Sequence, residues 1–588
     1  MHCELERLAS ATGAGLDADE LTCLACMADP DLVQRVRSTA VTHVSARATP
    51  TGELALLLGG RALCSGVDPR AEAETWASHQ DLEGIDLLLV FGLGPGYHIE
   101  ALRARTPAPI VVLEPSLEVI RSTLTRRGLD LPDVRLVDNT RTLREQIVGR
   151  LHRAGQVVKI VAWPPHARLF ASLWAAVQQT TRQAAELAAI TANTFETRLQ
   201  LWVHNLLQNL PQCAGRIPAR GFAGQLQGRP AVLVAAGPSL DRNVEQLARY
   251  PERATVIAVN TAMGALERAG VRADFMVAVE LLDVSSQLGR LELNRRCGRF
   301  LNLIAHPSLF DGPMEGPIFP FIDASVPHFR QLTLGAGLGE GIPAGGCAAT
   351  IAFALASMMG ADPIVLVGQD LAYTGGRVYA SGTVFEGMRA HLDGEAARLE
   401  GLEEKRRIGA SAPGADTTRE RVPVVPTEAW GGGTVWTTPE FAYFRCAFER
   451  WARGMPGVSL INATEGGAHI EGFVERPLGD VLRQRPRLQA APLPDGPAIA
   501  ASSIRTVLQR ERDATLLVVR EAQLATPRAT EQLRGAVRRS GLVEAQAWSA
   551  LQAMIRDPQA SFEDLCRQLE RQASVAAGML DDALRRLP

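Results

Sequence analysis

Lysine is nearly missing from this 588-residue chain: of its 61 basic residues only Lys159 and Lys405 are lysine, and the rest are arginine. A phosphate-loop NTPase needs a lysine inside G-x-x-x-x-G-K-[ST], and neither lysine stands in one. Schiff-base catalysis has the same two choices, and neither lies in a segment that reads as a pocket. Aromatic residues make up 5% and the net charge is −3 without a basic stripe, so the footprint of a nucleic-acid binder is absent. The nine cysteines are scattered and odd in number, which argues against a disulfide framework and fits reduced thiols in a cytoplasm. Cys23 and Cys26 form a lone C-x-x-C without a second pair at zinc spacing, and they read as one face of a short helix. The first residues lack a cationic end followed by an apolar block, so no secretory signal is expected. The longest uncharged run, Ala344 to Ala361, is rich in Ala, Gly and Ser and reads as a buried helix, not a membrane span.

What is present is apolar mass: 46% hydrophobic against 21% charged residues, enough for several cores and three or four domains. Residues 1–80 read as an α+β cap, with a β-meander over Val41 to Ser65 broken at Thr49-Pro50-Thr51-Gly52. Residues 81–165 switch to short apolar runs (Leu87–Phe91, Ile110–Leu113, Val134–Val137, Val157–Ala162) alternating with helix-length segments, the rhythm of a parallel sheet. Residues 166–215 predict one or two connecting helices. Residues 216–480 hold a second β/α series, with strands expected at Ala231–Ala235, Thr255–Val259, Phe275–Val279, Phe300–Ile304 and Ile364–Val367. Within it, Leu371 to Pro426 is charged and strand-poor and predicts a long loop or lid. Strand, helix and strand then return through Thr434–Thr437, Pro439–Arg453 and Val458–Ile461. Residues 481–588 predict a linker, proline-rich from Arg476 to Pro497, and a helical bundle. The fold class is α/β: two Rossmann-like modules, an α+β cap and a C-terminal helical bundle.

Two glycine-rich turns follow strands. Gly92-Leu93-Gly94-Pro95-Gly96 opens a helix, and Glu114 ends the next strand, as at the start of a dinucleotide or methyl-donor site. The same turn also serves a domain that binds nothing, and that is the favoured reading. The second is Gly237-Pro238-Ser239-Leu240, where Pro238 suits a first helical turn and the helix start suits a phosphate. Asn260 and Glu280 end the next two strands, where open α/β sheets bind ligands. Gly345-Gly346-Cys347 opens a helix, Gly368-Gln369-Asp370 with Tyr373 follows an apolar strand, and Asn462 to Ala468 sets Thr464, Glu465, Gly466 and Gly467 after another. Five polar strand ends in one domain exceed what capping alone needs.

The segments GPSL at Gly237–Leu240, ADFMVAVE at Ala273–Glu280, VGQDLAYTGG at Val367–Gly376 and NATEGGA at Asn462–Ala468 resemble, in this order, the bacterial motility accessory factor family. The VFGLGPGYHIEAL and VLEPS segments are similar to that family's amino-terminal domain. The resemblance implies transfer of a nonulosonic acid, pseudaminic or legionaminic, from its CMP-activated donor to Ser or Thr of flagellin by a cytoplasmic enzyme, with a central domain similar to bacterial sialyltransferases. It implies no metal and no cofactor beyond the CMP-sugar substrate. Gly237, Pro238 and Ser239 would hold phosphate and ribose, and Asn260 the nucleotide. Glu280, Gly346, Gly368, Gln369 and Tyr373 join the expected donor site, and Thr464, Glu465, Gly466 and Gly467 line the sugar or acceptor side. Asp370, His391 and Tyr379 are the expected catalytic groups, because the family often carries a His where this chain has Tyr379-Ala380-Ser381. Arg242 or Arg377 would pair the donor carboxylate. The central domain also resembles pterin diphosphokinase-like proteins, which transfer pyrophosphate from ATP. A non-catalytic flagellin-binding chaperone and a methyltransferase acting at Gly92–Gly96 are further readings.

Overall fold

The computed structural model of the chain describes residues 30–127, 134–148, 150–151, 156–324, 329–409, 420–489, 494, 496–524, 542 and 562–587. The Cys23/Cys26 pair lies outside these residues. The chain divides into two compact units, Met1–Phe195 and Glu196–Pro588.

In the first unit helix Pro30–Ser38 precedes the expected meander: β1 (Val44–Ala48), β2 (Leu54–Leu58) and β3 (Arg61–Ala62) pair antiparallel. β4 (Leu87–Phe91), β5 (Ile110–Leu113), β6 (Val134–Val137) and β7 (Val158–Ala162) then form a parallel sheet in the order β6-β5-β4-β7. Their unbroken apolar runs have a simple cause: both faces are covered. Leu88, Val90, Ile110 and Val112 enter one core, while Leu87, Leu89, Phe91, Val111 and Leu113 enter another on the opposite face. Helices Pro164–Leu169 and Ala171–Asn209 follow, and the division between units falls within the second.

The second unit is built on eight parallel strands. They are β8 (Ala231–Val234), β9 (Thr255–Val259), β10 (Phe275–Ala278), β11 (Gly298–Asn302), β12 (Ile318–Phe321), β13 (Ile364–Val367), and then β19 (Leu460–Asn462) and β20 (Val474–Glu475). The order is β12-β11-β10-β9-β8-β13-β19-β20, so the chain reverses direction across the sheet between β8 and β13. Helix Ala348–Met358 packs on this sheet, and its Ile351, Phe353 and Leu355 share a core with Leu233, Ile257, Val277 and Leu366.

Parts of this reading are corrected and others extended. β12 went unseen because Pro320 interrupts its pattern; it lies at the sheet edge, where a missing N–H leaves no inner ladder bond unmade. Leu371 to Pro426 is not strand-poor: β14 (Arg389–Asp393), β15 (Ala396–Glu400) and β16 (Arg421–Pro423) form a small antiparallel sheet, with helix Glu403–Gly409 between β15 and β16. Its strands are charged because their outer faces are exposed, while Ala390 and Ala397 pack inward with Tyr373. The expected strand at Thr434–Thr437 (β18) pairs with β17 (Val425–Glu428) in a separate hairpin and stays out of the main sheet. The Arg476–Pro497 stretch also contains a helix, Leu478–Arg483. Of the C-terminal residues, helices Ala501–Leu524 and Phe562–Arg585 pack together through Val518, Ala522, Cys566, Leu569 and Ala573.

Candidate functional site

Each sheet places a glycine turn at the point where its strand order reverses, the position where such sheets bind ligands. In the first unit the protein fills the place itself. Glu114, 0% exposed, accepts the Leu93 N–H at 2.8 Å and the Gly94 N–H at 3.4 Å. His166, also 0% exposed, sets its Nε2 2.7 Å from the same carboxylate oxygen. A Cβ on Gly92 would run into the His166 ring. His98 stacks on Trp163 with ring centroids 4.2 Å apart and holds its Nε2 2.9 Å from the Gly92 carbonyl. Burial pushes His98 down to about 3, so the ring is neutral and donates to that carbonyl. The turn's amides and its space are spent on protein groups.

The second turn is tied as tightly, by a different acid. Gly368, at positive φ, aims its carbonyl at the Gly237 N–H, 2.8 Å away. Asp370, 3% exposed, accepts the Ser239 hydroxyl at 2.7 Å, the Thr374 hydroxyl at 2.8 Å and the Ser239 N–H at 3.2 Å. Side chains on Gly237 or Gly466 would run into Asp370 and into the Ser239 hydroxyl respectively, which explains both glycines. Burial raises the Asp370 carboxyl, while the Ser239 and Thr374 hydroxyls, the Ser239 N–H and Arg242 favour its charged form. The Leu240 N–H turns back to Gly237. The expected phosphate cradle at Gly237, Pro238 and Ser239 is therefore closed: its backbone donors already have partners.

Several expected site residues turn out to hold this junction together. Thr464 takes the Gln369 N–H on its hydroxyl at 3.2 Å. Glu465, at positive φ, accepts from the Asn243 amide and the Leu478 N–H, each at 2.9 Å. The Gly467 position presses on the Asp370 backbone, and the Ala468 N–H donates to the Asp370 carbonyl at 2.7 Å. A side chain on Gly346 would run into Tyr443 and Phe444, so packing by itself accounts for this glycine. Tyr373 is buried against Phe441, and burial pushes its hydroxyl far up. The expected cations are engaged as well: Arg242 donates to the Glu465 carbonyl at 2.9 Å, and Arg377 pairs with Asp241 at 2.6 Å.

His391 is not brought to Asp370. It stands on β14 next to inward-facing Ala390, so alternation turns it outward, and its Nε2 meets Glu400 across the strand pair at 3.1 Å. Tyr379 does reach the sheet edge: the next residue, Ala380, donates its N–H to the Ala236 carbonyl at 2.9 Å, and Ser381 binds the Asp241 carboxylate.

The open chemistry lies one strand further out, at the ends of β9 and β10. Asn260 is 3% exposed; its amide lies beside the Glu280 carboxyl, near enough to favour that group's charged form, without reaching full hydrogen-bond geometry. Its neighbour is the half-buried Glu280, whose carboxyl burial raises while Asn260, Lys405 and Arg198 pull it back. Lys405 comes from the small helix of the lid and reaches over the Tyr379 ring, its ammonium 5.9 Å from the centroid. From the same helix Arg407 donates to the Ser286 hydroxyl at 2.8 Å, securing the lid to the short helix Ser285–Leu288 after β10. Asn205 and Asn209 of the long helix donate to carbonyls of Leu281, Leu303, Ile304 and Ala305, which fixes the loops after β10 and β11. The ends of β9 and β10 and the small helix thus bring together an amide and a carboxyl, with an ammonium that faces both that carboxyl's charge and an aromatic ring. Sequence reading identified Asn260, Glu280 and Tyr379 and passed over Lys405, whose only signal was the rarity of lysine. Among the described residues no three His, Cys, Asp or Glu side chains converge as a metal site, and no helix is long and apolar enough to cross a membrane.

With this geometry in hand, comparison with known proteins adds three findings. Residues 204–376, from the end of the long helix through β13, match the family described as 6-hydroxymethylpterin diphosphokinase MptE-like. A protein of Treponema pallidum (strain Nichols), described as uncharacterized, is 26% identical over 205 residues, which is 33% of this chain and 70% of that protein. The solved structure of the Maf glycosyltransferase from Magnetospirillum magneticum AMB-1 aligns over 99% of this chain and 97% of its own, with a TM-score of 0.55 and 14% identity. At that identity the correspondence is one of fold, and it runs the length of the chain.

Proposed function

We propose that the chain is a glycosyltransferase that moves a nonulosonic acid, of the pseudaminic or legionaminic type, from a CMP-activated donor to Ser or Thr hydroxyls of flagellin. The observation that carries this reading is the buried Asn260 amide at a parallel sheet's carboxyl edge, short of full hydrogen-bond geometry beside the Glu280 carboxyl, an acid that also feels the charge of Lys405 from the lid helix. A buried amide short of that geometry costs up to about 1–3 kcal/mol, which a bound ligand recovers. Asn260 and Glu280 suit the hydrogen-bonding edges of a nucleoside. Lys405 suits an anion, the donor's phosphate or its sugar carboxylate. The full-length fold correspondence with a protein described as a glycosyltransferase supports the same assignment, although fold by itself does not fix chemistry. In such a transfer the phosphate leaves with the bonding electron pair, so a cation placed at it stabilises the transition state.

The test is direct. Purified protein is given CMP-pseudaminic or CMP-legionaminic acid with flagellin, and CMP release and the mass of flagellin are followed. Release of CMP with a matching gain of sugar mass on flagellin is expected. The match of residues 204–376 to the diphosphokinase family favours a second reading, pyrophosphate transfer from ATP to a hydroxymethylpterin. AMP release from ATP plus pterin, with neither CMP-sugar consumed, would replace the first reading by the second.

A further inference from the structure

The loop after β11 carries a chain of three groups that the site description above leaves unused. His306 follows β11 at the sheet's carboxyl edge, and its backbone N–H donates to the Glu280 carbonyl at 2.8 Å, so it borders the crevice. Its Nδ1 lies 2.9 Å from the Ser308 hydroxyl, and that hydroxyl donates to Asp283 Oδ1 at 2.8 Å. The Ser285 N–H also donates to this carboxylate, at 2.9 Å.

The order of donors sets the imidazole's tautomer. Burial pushes Asp283 up, but the Ser285 and Ser308 donors and nearby His306 outweigh it and hold the carboxyl below its usual range, so it is ionised and only accepts. The Ser308 O–H must then point at Asp283, and only a hydroxyl lone pair remains for His306. Nδ1 therefore carries the proton and donates to Ser308. The Ser308 N–H also points at Nδ1, at 3.2 Å, and would use it as an acceptor; the shorter hydroxyl contact, its own proton given to Asp283, is what favours a proton on Nδ1. This leaves Nε2 with its lone pair free, and among the described residues no protein group binds it. A half-buried histidine oriented through a hydroxyl by a carboxylate is the arrangement of a general base.

We propose that His306 is the base that deprotonates the acceptor hydroxyl, with Ser308 and Asp283 as its positioning residues. This rests on the glycosyltransferase reading. The acceptor oxygen bonds to the anomeric carbon as the bond from that carbon to the phosphate oxygen breaks. The CMP phosphate leaves with the electron pair, and the hydroxyl proton goes to His306 Nε2. The imidazolium is then stabilised by its Nδ1–H to Ser308 and, through the Ser308 O–H, by Asp283. Other groups near the ring set its proton affinity. Burial lowers it, Asp283 raises it, and His204 of the long helix lowers it. Arg407 of the lid helix lies close enough to Asp283 to feel its charge.

The experiment is a pH–rate profile of sugar transfer for the full chain and three variants, beside CMP binding by calorimetry. His306→Asn can keep an amide N–H where the Nδ1–H stood, so a donor to the Ser308 hydroxyl survives while the far nitrogen is lost. Transfer is expected to fall about 10²-fold or more and to lose its acid limb, with CMP affinity within a few fold. Asp283→Asn and Ser308→Ala remove what favours the imidazolium, so the acid limb should move to lower pH as the rate falls. A merely structural role would lower the rate equally at every pH. An unshifted acid limb in His306→Asn, in a wild type that transfers sugar, overturns the proposal. A wild type that releases no CMP overturns the glycosyltransferase reading instead.

Discussion

Two glycine turns at two strand-order reversals, each closed by a carboxylate, end in different surroundings. Around Gly92, the Glu114 carboxylate, His166, His98 and Trp163 fill the space and use the donors. Around Gly237, Asp370 uses the donors in the same way, but further out along the sheet the buried Asn260 amide lacks full hydrogen-bond geometry beside Glu280, which also feels the charge of Lys405. Glycine in a strand–helix turn reports that something approaches the backbone closely. Around Gly237 that something is the Asp370 carboxylate; around Gly92 it is the His166 ring, itself set against Glu114.

The largest test of this contrast replaces Lys405. Lys405→Ala should lower CMP-sugar turnover about 10²-fold, the loss expected for one charge-stabilising donor, whereas Gly94→Ala should stay within a few fold. Comparable losses from both, with folding intact, would erase the distinction between the turns. Asp370→Asn comes next. Asn offers one acceptor and an NH₂ where three donors now meet two carboxylate oxygens, so denaturant unfolding should show a loss of about 1–3 kcal/mol. Unchanged stability together with a turnover loss of about 10²-fold would make Asp370 the base and return the second turn to the chemistry.

In the first unit the corresponding insult is Gly92→Ala, which drives a methyl into His166. It should cost about 1–3 kcal/mol, read as lost amide protection confined to that unit, while donor turnover of the folded protein holds. The buried His98 adds a pH signature. Its folded pKa of about 3 lies below the unfolded value of about 6.5. The unfolded chain therefore binds the extra proton between these values. Its contribution to stability is complete above about pH 6.5 and declines toward about pH 3, by about 1 kcal/mol per pH unit. His98→Gln should flatten that slope, and an identical slope in the variant would place the titration elsewhere. The smallest effect is expected from EDTA: turnover should be unchanged, and a loss restored by Mg²⁺ would favour pyrophosphate transfer.

Sequence alone determined the parallel sheets, because strands buried on both faces read as unbroken apolar runs, as Leu87–Phe91 and Ile364–Val367 do. It also located the glycine turns and the polar strand ends Asn260 and Glu280, since a turn needing positive φ and a residue ending a strand are local properties. It placed β11 two residues late and overlooked β12, where Pro320 hides an edge strand that tolerates it. Tertiary structure decided which polar residues are spent and which are available. Ser239, Asp370, Thr464 and Glu465 look alike as strand-end groups in one dimension, yet Ser239 pairs with Asp370, Thr464 with the Gln369 N–H and Glu465 with Asn243, across separations of about a hundred residues or more. His391 turned outward by strand alternation, Lys405 arrived from a lid helix, and His306 met Asp283 through Ser308 from a neighbouring loop. Hydrogen bonds act over about 3 Å in space, and only the packed chain says which of these groups are that close.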